Sequence, residues 1–282
     1  MNSKKHLIAL DLDGTLLNDN KKISTKTKQV LAKAVQQGHI VIISTGRPHR
    51  ASIQYYHELK LDTPMVNFNG ALIHHPYDKK WDVLHNPMPK RTALSIVEAC
   101  YNMHAKNILA EVQDSVYLDK YDQEILDIFS QTSDDVPYTI GNLKNKLDTD
   151  PTSLLIHPHP DYIDDLRQNL DDHHAEVIEH RKWGAPWNII EIVKKGINKA
   201  VGVDKIAYYY HIPKERIIAF GDEDNDLEMI DYAGVGVAMG NAIDELKSIA
   251  NVVTDTNEKD GIGNFLTDYL KLDAAASISI TE

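Results

Sequence analysis

An apolar run that ends in two carboxylates limits the possible folds of this chain more than any other feature. Leu7-Ile8-Ala9-Leu10 has the continuous apolar character of a buried strand, and Asp11-Leu12-Asp13-Gly14-Thr15 follows it directly. Residues two apart on extended backbone point to the same side, so Asp11 and Asp13 can face one small ligand before Gly14 lets the chain turn. The segment predicts a buried strand that presents two acidic groups at its end.

Later segments repeat this pattern of an apolar strand followed by polar residues. Val41-Ile42-Ile43 leads into Ser44-Thr45-Gly46-Arg47, and the strand predicted from Ile217 to Phe220 leads into Gly221-Asp222-Glu223-Asp224-Asn225-Asp226. Continuous apolar strands separated by helices predict an α/β fold, a doubly wound, mostly parallel Rossmann-like sheet. Ligands of such sheets bind at the carboxyl ends of the strands, where Asp11, Thr45, Asn69 and Asp222 fall.

Taken in order, these segments, with Lys199 between them, resemble the haloacid dehalogenase (HAD) superfamily. Asn67-Phe68-Asn69-Gly70-Ala71 resembles the Asn-Gly-Ala signature of its Cof-type phosphatases, which carry a type IIB cap. The resemblance covers essentially the whole chain, with the middle third matched in size and position only.

The middle third is expected to be an insertion into the core. Residues 1–83 and 191–282 are predicted to form the phosphatase core, and residues 84–190 an inserted α+β cap domain that sets substrate specificity. Trp183 and Trp187 flank the predicted return to the core, where they either line the pocket or pack the hinge.

The resemblance implies roles for the two carboxylates and for a metal ion. Asp11 would be the nucleophile that forms an aspartyl-phosphate, and Asp13 the acid and base; the spacing alone does not rank the two. Two carboxylates facing a phosphate dianion need a cation, which implies Mg²⁺. The implied ligands are Asp11, the main-chain carbonyl of Asp13, and Asp222.

The resemblance also implies which groups bind phosphate, namely Leu12, Thr45, Gly46, Lys199 and Asn225. Lys199 is preferred to the nearby Lys194 and Lys195, because Lys195-Gly196-Ile197-Asn198-Lys199 aligns with a Lys-Gly-x-x-Lys-like run of the family. Ala200 stands where the family commonly has glycine. Three further residues are expected near the metal or substrate. Asp226 would lie behind the metal ligands, Arg47 would contact substrate or pair with an acid, and Asn69 would touch the leaving group or serve only as a turn residue.

Other site chemistries fit the sequence less well. A calcium loop at Asp222 to Asp226 would require glycine where Leu227 stands and glutamate where Ala233 stands. The fourteen histidines lack the spacing of a closed zinc site. Cys100, the single cysteine, lies among apolar residues and is expected to be a buried apolar group rather than a nucleophile.

The composition narrows the classes of molecule that this protein is expected to bind. A formal net charge of −12 disfavours nucleic acid and anionic membranes as partners, and neither a signal peptide nor a membrane-spanning run is evident, which predicts a cytoplasmic protein. The sequence therefore predicts a Mg²⁺-dependent phosphatase of small phosphorylated metabolites. Sugar phosphates are the leading class, followed by flavin mononucleotide and pyridoxal phosphate. The alternatives are a phosphosugar mutase and a catalytically inactive metabolite-binding regulator; the oligomeric state is left open.

Overall fold

Three β-sheets and their helices make up the computed structural model, which describes residues 5–123, 125, 138–182 and 188–272. The strands are β1 (Leu7–Leu10), β2 (Ile40–Ile43), β3 (Met65–Asn67), β4 (Leu72–His74), β5 (Leu84–His85), β6 (Asn107–Val112), β7 (Ser115–Leu118), β8 (Tyr138–Ile140), β9 (Ser153–His157), β10 (Ile178–Lys182), β11 (Ile190–Lys194), β12 (Ile217–Gly221), β13 (Val235–Ala238) and β14 (Val252–Val253). The α-helices are α1 (Thr25–Gln36), α2 (His49–Glu58), α3 (Lys90–Asn102), α4 (Leu143–Lys146), α5 (Ile163–His174), α6 (Lys199–Tyr209), α7 (Leu227–Tyr232), α8 (Asp244–Ile249) and α9 (Gly261–Tyr269).

The first sheet is parallel and has the order β14-β13-β12-β1-β2. β1 lies between β2 and β12, and all four of its residues are fully buried. Continuous apolar strands are stable in this position because helices and neighbouring strands remove every side from water. The predicted α/β fold with a parallel sheet is confirmed.

Helix α1 illustrates how local sequence fixes the elements around this sheet. The Ser24 hydroxyl accepts a hydrogen bond from the Thr27 amide at 3.1 Å, as an N-cap should, and Gly38 follows the helix with a positive φ of 89°. The buried face of α1 contributes Leu31 and Ala34 to the main core. The helix returns the chain from β1 to β2, so both strands end at the same edge of the sheet.

The second sheet is mostly antiparallel, with the order β10-β11-β9-β6-β7-β8. One of its faces packs against α3 and α5 in a core of its own, which includes Cys100, Ile156 and Ile192. Burial raises the pKa of the Cys100 thiol to about 12, in keeping with its predicted apolar role. A third, small antiparallel sheet joins β3, β4 and β5.

The position of β11 corrects the expected end of the insertion. We expected core structure to resume at Glu191, but Ile190–Lys194 pairs with β10 and β9 in the second sheet. The apolar pattern of β11 suits a strand of either sheet, so only the pairing distinguishes them. The chain therefore leaves the second sheet after Lys194. Trp183 and Trp187 lie outside the described residues.

A buried ion pair links helix α2 to the second sheet. Arg50 donates from Nη2 to Oε1 of Glu111 on β6, and the Ser153 hydroxyl donates to Oε2 of the same carboxylate at 2.8 Å. The Arg50 amide donates to Oδ1 of Asp114 at 2.9 Å. These contacts join helix α2 to strands β6 and β9 and to the turn after β6. No helix in the described parts of the chain is both long and apolar enough to cross a bilayer.

Candidate active site

Acidic residues meet at the carboxyl edge of the parallel sheet. Asp11 follows β1 and Asp222 follows β12, and both are buried. Gly14 makes their approach possible: it has φ of 73°, and a Cβ at this position would lie 2.1 Å from Oδ2 of Asp222. Any larger residue would combine backbone strain with a steric clash, so glycine is required after Asp13.

Lys199 bridges two of the acids. Its Nζ donates to Oδ1 of Asp11 at 2.6 Å and to Oδ1 of Asp226 at 2.7 Å, and the lysine is completely buried at the start of α6. The Asn198 side chain caps this helix by accepting a hydrogen bond from the Val201 amide, so the helix begins at Lys199. The arrangement places a fixed positive charge against Asp11.

The pKa values of Asp11 and Lys199 are both raised, but for different reasons. Burial raises the pKa of Asp11 well above its ordinary value, with the charge of Lys199 opposing the shift and those of Asp226 and Asp222 adding to it. Burial alone would lower the pKa of Lys199, but Asp11 and Asp226 outweigh it and raise that pKa. Lys199 therefore stays charged at neutral pH.

Asp222 completes a compact acidic cluster. Its Oδ1 accepts a hydrogen bond from the Thr15 hydroxyl at 2.6 Å, and burial raises its pKa to about 7, partly opposed by that hydrogen bond. Carboxylate oxygens of Asp11, Asp222 and Asp226 all lie within 4.8 Å of one another. When ionised, three carboxylates against the single ammonium of Lys199 leave two negative charges, so the cluster fits a divalent cation with oxygen ligands.

Asp226 also organises the loop that carries Asp222. Its Oδ2 accepts hydrogen bonds from the main-chain amides of Asp222 at 3.0 Å and Glu223 at 3.3 Å. With Oδ1 bound to Lys199, both carboxylate oxygens of Asp226 have protein partners.

Asp13 pairs with two cations. Arg47 donates from Nε to Oδ2 and from Nη2 to Oδ1, both at 2.6 Å, and Lys21 Nζ donates to Oδ1 at 2.7 Å. Burial alone would raise the pKa of Asp13, but Arg47 and, to a smaller extent, Lys21 lower it to about 2. Of the two roles considered for Arg47, pairing with an acid is the one observed in this structure.

Polar groups from the next two strand ends lie together beside the cluster. The buried Thr45 accepts hydrogen bonds from the Arg47 amide through Oγ1 and from the Asn69 amide through its carbonyl, both at 3.1 Å. Asn69 has left-handed backbone with φ of 52°, and its Oδ1 accepts from Asn225 Nδ2 at 3.0 Å. A Cβ on Gly46 would lie 3.1 Å from that same oxygen. Asn69 is thus both a turn residue and part of this polar group.

A family model described as haloacid dehalogenase-like hydrolase matches residues 8–266. The chain belongs to this superfamily. The 5-amino-6-(5-phospho-D-ribitylamino)uracil phosphatase YitU of Bacillus subtilis strain 168 is 51% identical over 272 residues, which span 96% of this chain and 100% of that protein. Pyridoxal phosphate phosphatase YbhA of Escherichia coli K12 is 32% identical over 94% of this chain and 98% of its own length.

Among solved structures, that of TM0651 from Thermotoga maritima matches with a TM-score of 0.82 and 29% identity, over 94% of this chain and 97% of that one. The predicted HAD membership is confirmed, and this chain is an HAD phosphatase of the Cof type.

Most residues predicted for the HAD site lie together in the structure. Asp11, Lys199, Asp222 and Asp226 form the acidic cluster, while Thr45, Gly46, Asn69 and Asn225 form the polar group beside it. Leu12 lies between the two carboxylates of the first loop, with its side chain fully buried and its carbonyl accepting from the Leu17 amide at 2.8 Å.

Sequence reasoning missed two contacts of this site. Thr15, the last residue of the Asp11–Thr15 segment, binds Asp222, and Lys21 binds Asp13. The position of Thr15 beside the acids was a usable signal, because a hydroxyl in the same turn reaches the neighbouring strand end. Lys21 is an exposed lysine in a polar loop, and nothing in the sequence distinguishes it from its neighbour Lys22.

Proposed function

We propose that this protein hydrolyses phosphate monoesters of small metabolites, with Asp11 as nucleophile and Mg²⁺ as cofactor. The observation that carries the proposal is the buried Lys199 ammonium, held 2.6 Å from Asp11 inside a cluster of three carboxylates. An ammonium there stabilises the ionised nucleophile and the negative charge of the transferring phosphoryl group.

The reaction proceeds in two balanced steps. A carboxylate oxygen of Asp11 attacks phosphorus, the ester P–O bond breaks, and the leaving oxygen takes a proton from Asp13. Water then gives a proton to Asp13 and attacks the phosphorus of the aspartyl-phosphate, which releases inorganic phosphate and restores Asp11.

The role of Asp13 as an acid requires a change in its contacts. With Arg47 and Lys21 bound, its pKa of about 2 keeps it ionised at neutral pH. It can carry a proton only if these contacts loosen when substrate binds, and Arg47 is then freed to face the bound ester.

The acidic cluster supports Mg²⁺ as the cofactor, with Asp11, Asp222 and the main-chain carbonyl of Asp13 as its protein ligands. Bound Mg²⁺ would neutralise the excess charge of the carboxylates and withdraw electron density from the phosphate. Asp226 would hold Lys199 and the Asp222 loop in position rather than bind the ion.

The polar group beside the cluster would bind the phosphate. The amides of Leu12 and Gly46, the Thr45 hydroxyl, the Asn225 amide group and Lys199 are all hydrogen-bond donors suited to phosphate oxygens. Asn69 would contact the leaving group, because it borders both the polar group around Asn225 and the cleft beneath the second sheet.

The relatives support two classes of substrate. YitU is named for a phosphorylated ribitylaminouracil, and YbhA for pyridoxal phosphate. At 51% identity over nearly the whole chain, YitU makes 5-amino-6-(5-phospho-D-ribitylamino)uracil the leading candidate here, ahead of pyridoxal phosphate and of simple sugar phosphates. We further propose that residues 84–194 form the cap, which closes over the cleft and excludes water.

The test is phosphate release from a panel that contains this ester, pyridoxal phosphate, flavin mononucleotide and sugar phosphates, with Mg²⁺ or with EDTA. The wild type is expected to release phosphate only with Mg²⁺, and Asp11→Asn is expected to abolish release. Asp231→Asn, at an exposed acid outside the site, is the matched control and should match the wild type.

Activity that survives Asp11→Asn would contradict the proposed nucleophile. An isomeric phosphate ester formed in place of free phosphate would indicate a mutase, and binding of esters without turnover would indicate a regulator.

A further inference from the structure

The strands β10 and β11 carry a charged patch on one face. Glu179 lies opposite Val193, and Arg181 lies opposite Glu191, in the antiparallel register of the two strands. Their neighbours Ile178, Ile190 and Ile192 point to the other face, where they are buried against the helices. Since strand residues alternate between faces, the charged residues share the face opposite to these isoleucines.

This charged face borders the candidate active site. Glu179, Arg181, Glu191 and Val193 line a narrow cleft whose opposite wall includes Asn69. Asn69 is hydrogen-bonded to Thr45 and Asn225, which belong to the polar group beside the acidic cluster. A substrate with its phosphate at that group would extend its leaving group past Asn69 towards β10 and β11.

Arg181 has a hydrogen-bonding capacity that the described part of the chain does not use. Its Nη1 is buried and makes no hydrogen bond within the described residues. Its nearest acids are Asp224 Oδ1, 3.7 Å from Nη1, and Glu228 Oε2, 3.8 Å from Nη2, both beyond hydrogen-bond distance. A buried donor without an acceptor is costly, so an acceptor supplied by a ligand would stabilise this arrangement.

We propose that Arg181, Glu179 and Glu191 form the subsite that recognises the leaving group, an inference that rests on the proposed phosphatase function. Arg181 donates to a carbonyl or ring-nitrogen acceptor, and the two carboxylates accept from hydroxyl or amino groups. Glu179 also accepts from the Gly196 amide at 3.1 Å, but a carboxylate has room for further donors. Two carboxylates and one guanidinium favour an uncharged, polyhydroxylated or amino-substituted leaving group over one that carries a second anion.

The test compares Arg181→Met with the wild type on two esters, each with Mg²⁺. One is the polar ester that the panel ranks first, and the other is phenyl phosphate, whose leaving group has no such acceptors or donors. The expected result is a fall of about 10- to 100-fold in kcat/KM on the polar ester, from lost hydrogen bonds to a charged group, with phenyl phosphate changed less than about threefold.

Two further variants complete the design. Glu191→Gln is expected to show the same selective loss, and it keeps the test decisive if Arg181→Met does not fold. Glu228→Gln removes only an ion-pair partner of Arg181 and should leave both esters unaffected.

Equal losses on both esters, or no loss on either, would overturn the leaving-group subsite while the proposed function stands. If the wild type releases phosphate from none of the esters, the proposed phosphatase function is contradicted, and the proposed subsite is contradicted with it.

Discussion

The Nζ of Lys199 lies 2.6 Å from Oδ1 of Asp11, although 188 positions separate the two residues in the sequence. Both groups are buried, and the cluster around them holds Asp222 and Asp226 as well. The lysine is therefore the fixed counter-charge for the carboxylate of Asp11, which lies beside two other acids.

Lys199→Met is expected to lower kcat by at least about 100-fold. Without the ammonium, Asp11 keeps its burial and its two acidic neighbours, so its pKa rises further and less of it is ionised. Steady-state phosphate release measures the loss, and thermal unfolding checks that the variant folds. Lys195→Met, at an exposed lysine on the same segment, is the control; a Lys199→Met enzyme with more than a tenth of wild-type activity would contradict the assigned role.

Arg47→Met is expected to raise the pKa of Asp13 from about 2 towards its ordinary value of 3.8, because two charge-assisted hydrogen bonds are lost. Lys21→Met removes one hydrogen bond from a side chain that is 57% exposed, so its effect should be smaller. Carboxyl-carbon NMR titration of Asp13 in the three proteins gives the ranking. A larger shift in Lys21→Met than in Arg47→Met would reverse the assignment of the dominant partner.

Glu111→Gln is expected to destabilise the fold by about 3–5 kcal/mol, because it leaves the buried guanidinium of Arg50 without its counter-charge. The double variant Arg50→Met with Glu111→Leu should recover much of this loss, since both charges are then absent. Denaturant unfolding measures each free energy. As a control, Lys144→Met breaks an exposed pair with Glu98 and should cost less than about 1 kcal/mol; similar costs for the two pairs would show that the link between helix α2 and the second sheet is weak.

The free energy of unfolding is expected to fall as the pH drops from 6.5 to 4, partly because of His74. Burial, with smaller effects from His49 and His75, lowers the pKa of His74 from 6.5 to about 4. Between these values the unfolded chain binds the proton and the folded protein does not, which removes up to about 1.4 kcal/mol per pH unit. His74→Gln should flatten this dependence. An unchanged slope in His74→Gln would show that other groups cause the acid sensitivity.

The strand ends of the site were predictable because a local pattern encodes them. A continuous apolar run followed by acids or hydroxyls marks the carboxyl end of a parallel strand, and this placed Asp11, Thr45 and Asp222 at one edge. The order of the segments then identified Lys199 by resemblance to the family.

Contacts between distant segments were not predictable in the same way. The Arg50–Glu111 pair joins a helix to a strand of another sheet, and neither residue belongs to a pattern that indicates a partner. The sheet that β11 joins was also misjudged, because an apolar strand is compatible with either sheet until its neighbours are known. These features depend on how the two sheets face each other, which no local sequence signal specifies.

The central position of β1 in the parallel sheet has a consequence for biosynthesis. One of its partners, β2, is translated soon after it, but the other, β12, ends at residue 221. At 5–20 residues per second, β1 waits roughly ten to forty seconds on the ribosome with one apolar edge unpaired. A nascent chain that stalls in this interval exposes a strand prone to aggregation and lacks Asp222, so the acidic cluster cannot assemble until β12 and the loop after it have been made.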